Sequence, residues 1–127
     1  ENPVYYVQYA HARAHSILAQ VPDRPAAAPP GPPAELDPSE RALVMRIADW
    51  QVAVAEAEER RAPHRVVAYL IELAREFHAF YHRCRVVGEP DDLAAFRIDL
   101  CRATAATAKT TCMQAASTKG TDKDRKP

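Results

Sequence analysis

Residues 62–88 read APHRVVAYLIELAREFHAFYHRCRVVG, and this stretch decides the fold class. Its apolar side chains recur at alternating spacings of four and three residues, so they form one continuous stripe on an α-helix. The stripe consists of Val66, Leu70, Leu73, Phe77, Phe80, Tyr81, Cys84 and Val87. Pro63 suits the first turn of a helix, and Gly88 suits the left-handed position that ends one. We therefore predict one long amphipathic helix from Pro63 to Gly88.

The rest of the 127-residue chain also favours helices. Glycine occurs only 3 times, alanine is abundant, and no segment shows the alternation of valine and isoleucine that is typical of strands. Asp37 and Glu40 have the spacing of a capping box around Pro38. We predict an all-α fold. Its other helices are expected over 3–20, over 38–61 with a bend near Trp50, and after the capping sequence EPDD at 89–92, where Leu93, Phe96, Leu100 and Ala103 form the apolar stripe.

The chain divides into one helical domain, a proline-rich connection and a charged tail. We predict a single domain over 1–117, interrupted at 21–38 by VPDRPAAAPPGPPAELDP. This connection holds seven of the 11 prolines and cannot be helical. Residues 118–127 are mostly polar and charged, so we expect them to be disordered.

The overall composition argues against several classes of function. The net charge is zero, so no global field attracts nucleic acid and any basic surface must be local. The 3 cysteines lack paired spacing, which indicates free thiols in a reducing compartment, with Cys84 and Cys101 buried. No apolar run approaches the roughly 20 residues that span a bilayer. We expect a cytoplasmic protein without a membrane partner.

The first helix carries aromatic and basic side chains beside its packing face. At about 100° per residue, Tyr6, Tyr9 and Arg13 lie together on a flank about 90° from the centre of that face. The packing face itself consists of Val7, Ala10, Ala14, Ile17 and Val21. Single-stranded nucleic acid suits such a flank, because bases stack on tyrosine and phosphate accepts hydrogen bonds from arginine. Exposed rings also mark contacts between domains or with a protein partner, and helix geometry alone does not separate the two readings.

The central helix shows a second basic surface, opposite its apolar stripe. Its members are His64, Arg75, His78, His82 and Arg85, with Arg65 and Arg83 at the edge. A run of charges on a helix is most often an ordinary solvated face. Together with the flank formed by Tyr6, Tyr9 and Arg13, however, this surface favours nucleic-acid binding over an ordinary solvated face.

Neither a metal site nor a catalytic site is expected. His11 and His15, and likewise His78 and His82, have the i, i+4 spacing that can chelate zinc. No carboxylate or Cys-x-x-Cys pair completes a tetrahedral set. The sequence also lacks a glycine-rich phosphate loop and a group that would orient a nucleophilic cysteine. We therefore predict no catalytic residue, no metal and no cofactor in this chain.

Three segments resemble the C-terminal anticodon-binding (DALR) domain of arginyl-tRNA synthetases. NPVYYVQYAHAR at 2–13 resembles the passage from the catalytic domain into that domain. Residues 62–88 resemble its central helix, and LAAFRIDLCRAT at 93–104 resembles its last helix. The resemblance spans residues 2–107, interrupted by the proline-rich connection.

The resemblance implies a bundle of about five helices that binds the anticodon stem-loop of the arginine tRNA. The implied tRNA-binding residues are Tyr6, Gln8, Tyr9, Ala10, Arg13, Tyr81 and Arg85. The implied partners are this tRNA and the catalytic domain of a synthetase, in cis or in trans. The resembled parent protein is an ATP-dependent arginine–tRNA ligase. The motifs HIGH and KMSKS are absent here, so we expect no ATP site and no activation of arginine by this chain alone.

The end of the sequence departs from the family pattern. Members typically finish with an apolar LLG turn and a terminus similar to APERM, whereas residues 109–127 read KTTCMQAASTKGTDKDRKP. We therefore expect weakened anticodon recognition. An alternative is a stand-alone or degenerate DALR-like domain that uses the same surface for a protein partner and has no aminoacylation activity.

Overall fold

The computed structural model describes residues 3–20, 32–86 and 88–124, and the side chains of 5–20, 32–86, 88–90 and 92–113. Its helices are α1 (Pro3–Gln20), α2 (Pro38–Ala48), α3 (Trp50–Glu59), α4 (His64–Arg83) and α5 (Asp91–Asp124). The described residues contain no strand. The predictions of an all-α fold and of a bundle of about five helices are therefore confirmed. Val21, Val87 and most of the proline-rich connection lie outside the described residues.

Helix α4 is the centre of the bundle. The helices α1, α2, α3 and α5 all pack against it. Leu73, Phe77 and Phe80 are at most 1% exposed and belong to one core cluster that includes residues of α1, α2 and α5. Burial of such large apolar side chains is the main force that stabilises a domain of this size. The predicted stripe is thus confirmed in its centre, whereas Tyr81 at its edge is 38% exposed.

The start of α2 follows the predicted capping box. The Asp37 side chain accepts a hydrogen bond from the backbone nitrogen of Ser39 at 2.9 Å. The Glu40 carboxylate accepts one from the backbone nitrogen of Asp37, also at 2.9 Å. These bonds satisfy amide groups that have no partner within the helix. The predicted bend near Trp50 is a break at Asp49, where α2 ends and α3 begins.

The predicted end of α4 is wrong. The helix ends at Arg83, and Cys84 has an extended backbone with φ −122° and ψ 132°. The guanidinium of Arg97 on α5 donates a hydrogen bond to the carbonyl of Arg85 at 2.7 Å, which holds this segment against another helix. Cys84 remains buried, so the sequence pattern continues although the helix does not. Gly88 does adopt a left-handed conformation with φ 85°, in the turn before α5.

Helix α5 has a broader buried face than its predicted stripe. Phe96 and Leu100 are buried as expected, but Ile98 and Cys101 are completely buried as well. The reason is that α1, α2 and α4 all pack against α5. Burial raises the pKa of the Cys101 thiol to about 12, so this cysteine is an inert apolar side chain at neutral pH. The prediction that Cys84 and Cys101 are buried thiols is confirmed.

The backbone of α5 continues to Asp124, past residue 117, where the sequence predicts the start of a disordered tail. Extending an existing helix fixes one residue per hydrogen bond and costs far less than starting a new helix. Residues 125–127 lie outside the described residues. None of the helices in the described part of the chain combines the length and the apolar character needed to cross a membrane.

A buried ion pair joins α2 to α5. Arg97 Nε donates to Glu40 Oε2 at 3.1 Å, and the two side chains are 11% and 1% exposed. The same two side chains also hold the backbone of Asp37 and of Arg85. A charge removed from water is tolerated only when its partner and its hydrogen bonds are in place. The start of α2, the segment after α4 and α5 are therefore fixed to one another at a single point.

Asp37 also makes an exposed ion pair that should give the fold acid sensitivity. Its carboxylate accepts hydrogen bonds from Arg83 at 3.1 and 3.3 Å. The Arg83 guanidinium, followed by the bonds from Ser39, holds the pKa of Asp37 well below its usual range. A lowered native pKa means that the contribution to stability is present above the unfolded value of 3.8 and is lost as the pH falls below it.

We expect the melting temperature of the wild type to fall more than that of Asp37→Asn between about pH 5 and pH 3. Asparagine is an equally good helix cap but cannot titrate, so the difference between the two proteins isolates the carboxylate. Thermal melts followed by circular dichroism measure it. Parallel decreases in the two proteins would show that Asp37 does not contribute.

Candidate nucleic-acid interface

Helices α1 and α4 bring the aromatic and basic side chains together. Ala10 and Ala14 are 4% and 0% exposed on the face that packs against the bundle. With this face against the bundle, the flank that carries Tyr6, Tyr9 and Arg13 lies over α4. The ring centroids of Tyr6 and Tyr9 lie 4.8 and 5.5 Å from that of His78. The flank is thus an aromatic contact between two helices that are far apart in the sequence.

Arg13 joins the rings of both helices. Its guanidinium carbon lies 4.2 Å from the ring centroid of Tyr9 on α1 and 4.3 Å from that of Tyr81 on α4. Its Nη2 also donates a hydrogen bond to Tyr9 Oη at 2.6 Å. Each cation–π contact of this kind is worth about 0.5–2 kcal/mol. We call Tyr9, Arg13 and Tyr81 the arginine cluster.

His78 lies beneath this cluster, where its surroundings favour the neutral ring. Its side chain is buried, and Arg13 Nη1 lies 3.2 Å from its Nδ1. A guanidinium can only donate, so Nδ1 accepts and the ring proton resides on Nε2. Burial, and then the charge of Arg13, lower the pKa of His78, while the backbone of Tyr6 acts more weakly in the opposite direction. His78 therefore positions Arg13, and its lowered pKa favours the uncharged ring.

A shallow depression of ≈ 390 Å³ opens beside the arginine cluster. Its lining residues are Tyr6, Tyr9, Arg13, Arg75, His78, Ala79 and His82. Among the residues that the structure describes, no carboxylate lines it, and its walls offer ring faces and hydrogen-bond donors. A second depression of ≈ 370 Å³ has two carboxylates, those of Asp49 and Glu76, in its lining. The first is the one whose chemistry suits planar, negatively charged ligands.

The structure places the seven residues of the implied tRNA surface in three different environments. Tyr6, Tyr9, Arg13 and Tyr81 belong to the aromatic contact between α1 and α4. Gln8 and Arg85 are exposed, and Arg85 lies on the extended segment after α4. Ala10 is buried, so its methyl group contributes to the core and not to the surface.

His78 is the site residue that the sequence pattern placed wrongly. Its position opposite the apolar stripe predicts an exposed basic residue, but the side chain is only 7% exposed. Helix α4 is covered on this side by α1, and the periodicity of one helix carries no information about a second helix above it. The sequence does contain one signal that His78 is covered. The three rings of Tyr5, Tyr6 and Tyr9 form a cluster large enough to cover a neighbouring side chain.

Several members of the predicted basic surface are neutralised by carboxylates. Arg75 pairs with Glu72 at 2.8 Å, and Arg83 pairs with Asp37 at 3.1 Å. Arg65 lies 3.8 Å from Glu56. The basic surface predicted for α4 is therefore interrupted by acidic partners, and Arg13 provides a positive charge at the centre of the site.

The two histidine pairs have different surroundings. His11 and His15 face each other with their Nε2 atoms 3.2 Å apart, whereas His78 is buried and His82 is exposed. Burial, followed by the charges of His15 and Lys109, lowers the pKa of His11. Among the side chains that the structure describes, no three histidine, cysteine, aspartate or glutamate residues are grouped as metal binding requires.

Comparison with known families and proteins identifies relatives of this chain. Residues 7–113 match the model of the family described as the DALR anticodon binding domain. The chain is 44% identical over 108 residues to the arginine–tRNA ligase of Moorella thermoacetica, which covers 82% of this chain and 19% of that protein. It is 44% identical over 109 residues to the arginine–tRNA ligase of Desulforudis audaxviator, with the same coverage of 82% and 19%.

Solved structures share the fold as well. The Thermus thermophilus arginyl-tRNA synthetase superimposes with a TM-score of 0.72 at 36% identity, covering 87% of this chain and 19% of that one. A putative arginyl-tRNA synthetase from Campylobacter jejuni gives a TM-score of 0.79 at 29% identity, covering 91% and 25%. The chain thus spans about a fifth of the length of the curated relatives that it matches.

Proposed function

This chain belongs to the family of DALR anticodon binding domains, and we propose that it binds the anticodon stem-loop of an arginine tRNA. Its relatives in Moorella thermoacetica and Desulforudis audaxviator are arginine–tRNA ligases, which supports arginine tRNA as the partner. The proposed role is recognition and not catalysis. We propose that the chain needs no cofactor, and that ATP is used by a synthetase catalytic domain acting in cis or in trans.

The arginine cluster is the observation that carries this proposal. Tyr9 and Tyr81 are 43% and 38% exposed although both rings contact Arg13, so part of each ring remains accessible to a base. The bases of an anticodon loop are unpaired, and proteins recognise such bases mainly by stacking on aromatic rings and on guanidinium planes. The guanidinium also supplies the positive charge that attracts phosphate.

We expect Tyr9→Ala to weaken binding of an arginine-tRNA anticodon stem-loop by about 1–3 kcal/mol, the usual contribution of one aromatic–base stack. The variant should remain folded, because Tyr9 lies on the flank and not in the core. Fluorescence anisotropy titration measures the affinity, and thermal melting checks the fold. The departure of residues 109–127 from the family pattern predicts weak binding, so titrations should begin at low salt.

Tyr9→Phe and Arg13→Ala are the matched comparisons. Phenylalanine keeps the stacking face and should bind nearly as well as the wild type. Arg13→Ala should weaken binding with a salt slope reduced by about one if the guanidinium contacts phosphate. Equal binding of the arginine stem-loop and an unrelated stem-loop by the wild type would contradict the proposal. It would then favour the use of this surface for a protein partner.

A further inference from the structure

Tyr5 extends the arginine cluster by one ring. It lies one helical turn before Tyr9 on α1, its ring is parallel to that of Tyr9 within 8°, and the two centroids are 6.4 Å apart. At 68%, it is the most exposed large apolar side chain among those described. Neither the helix geometry nor the family resemblance selects Tyr5 as a binding residue.

The ring of Tyr5 is parallel to the ring of Tyr9, and the position of Tyr9 is fixed by its contacts. Tyr9 contacts both the guanidinium of Arg13 and the buried ring of His78. Tyr5, Tyr9, Arg13 and Tyr81 therefore form one continuous series of planar groups, which we call the stacking row. A solvent-exposed ring at the end of this row gives up favourable burial unless a ligand covers it.

We propose that Tyr5 stacks on one further unpaired nucleotide, the neighbour of the base that Tyr9 binds. The inference rests on the proposed function, since it concerns the same RNA and the same surface. Successive bases of an unpaired strand suit successive rings of the stacking row, because every base has a π-face and stacking tolerates any sequence. The occupant is thus a base selected by its position in the loop and not by its identity.

The test is a cycle that combines protein variants with abasic RNA. Stem-loops that each lack one loop base are titrated against the wild type and Tyr5→Ala. With intact RNA, Tyr5→Ala should bind about 5- to 30-fold more weakly, the lower part of the range for one stack. With one particular abasic stem-loop, the wild type and Tyr5→Ala should bind equally, because the base that Tyr5 contacts is already missing.

Two conservative variants separate stacking from apolar contact. Tyr5→Phe keeps the ring and should bind as the wild type, whereas Tyr5→Leu keeps apolar surface without the π-face and should resemble Tyr5→Ala. The abasic position that cancels the effect of Tyr5→Ala should differ from the position that cancels the effect of Tyr9→Ala. Thermal melts should give the same transition for all Tyr5 variants.

Three results would overturn the inference. The first is unchanged affinity of Tyr5→Ala while Tyr9→Ala still loses binding, which would leave the proposed function intact. The second is that Tyr5→Ala weakens binding by the same factor on every abasic stem-loop, which would indicate an indirect effect on the fold of α1. The third is a change in sedimentation of the free protein on Tyr5→Ala, which would identify a second copy of the chain as the occupant. Failure of the wild type to prefer the arginine stem-loop refutes the proposed function itself.

Discussion

Replacing Phe77 with alanine is expected to lower the free energy of unfolding by about 3–5 kcal/mol, the usual cost of removing a fully buried aromatic ring. Phe77 is 0% exposed at the centre of α4, and its ring centroid lies 5.9 Å from that of Phe80. The surrounding side chains belong to several helices, so they cannot all move inward to fill the space. A domain of this size has a total stability of about 5–15 kcal/mol, so the loss should remove a large part of it.

Urea denaturation followed by circular dichroism measures this effect. Val67→Ala is the matched control on the same helix, because Val67 is 42% exposed and should change stability by no more than about 0.5 kcal/mol. Similar midpoints for Phe77→Ala and Val67→Ala would mean that the buried face of α4 has been assigned incorrectly.

Arg97→Met should be comparably destabilising, by about 3–5 kcal/mol, for an electrostatic reason. The substitution leaves the carboxylate of Glu40 buried at 1% exposure without its partner. It also removes the donor that holds the carbonyl of Arg85. Arg75→Met breaks the exposed pair with Glu72 and should cost no more than about 1 kcal/mol.

A second substitution tests the stated cause. In the Arg97→Met background, Glu40→Gln should recover part of the lost stability, because the amide carries no charge and can still accept a hydrogen bond from the backbone of Asp37. In the wild-type background the same change should destabilise the protein, since it leaves Arg97 unpaired. If Glu40→Gln lowers stability equally in both backgrounds, the ion pair is not the source of the effect.

The helices could be predicted from the sequence because the signals that specify a helix lie within a few residues of one another. The capping box at Asp37 and Glu40 specifies where α2 begins, and the apolar spacing through Phe77 specifies which face of α4 is buried. The end of α4 could not be obtained in this way. The segment after that end is held by a hydrogen bond from Arg97 to the carbonyl of Arg85, and these two residues are 12 positions apart in the sequence.

The sequence predicts which residues belong to the candidate site, but it does not predict how they are arranged. Helix geometry placed Tyr6, Tyr9 and Arg13 on one flank, and the family resemblance added Tyr81. Neither showed that Arg13 contacts rings of two helices or that it is hydrogen-bonded to His78, 65 residues away. Glu40 was expected only as a helix cap, and Arg97 was not singled out, because nothing local indicates that two distant charges are buried together.

The stacking row is shared between α1 and α4, so it is complete only when α1 is docked on the remaining helices. Because α1 is joined covalently to α2, its docking is an intramolecular event, and loop-closure theory gives a cost of only about 0.6 kcal/mol for each doubling of the length of such a connection. An RNA that contacts both Tyr9 and Tyr81 binds only when α1 is docked. By mass action such an RNA stabilises the docked state by about 2.7 kcal/mol at 100 times its dissociation constant. Protection of α1 amides from hydrogen exchange should therefore rise with RNA concentration.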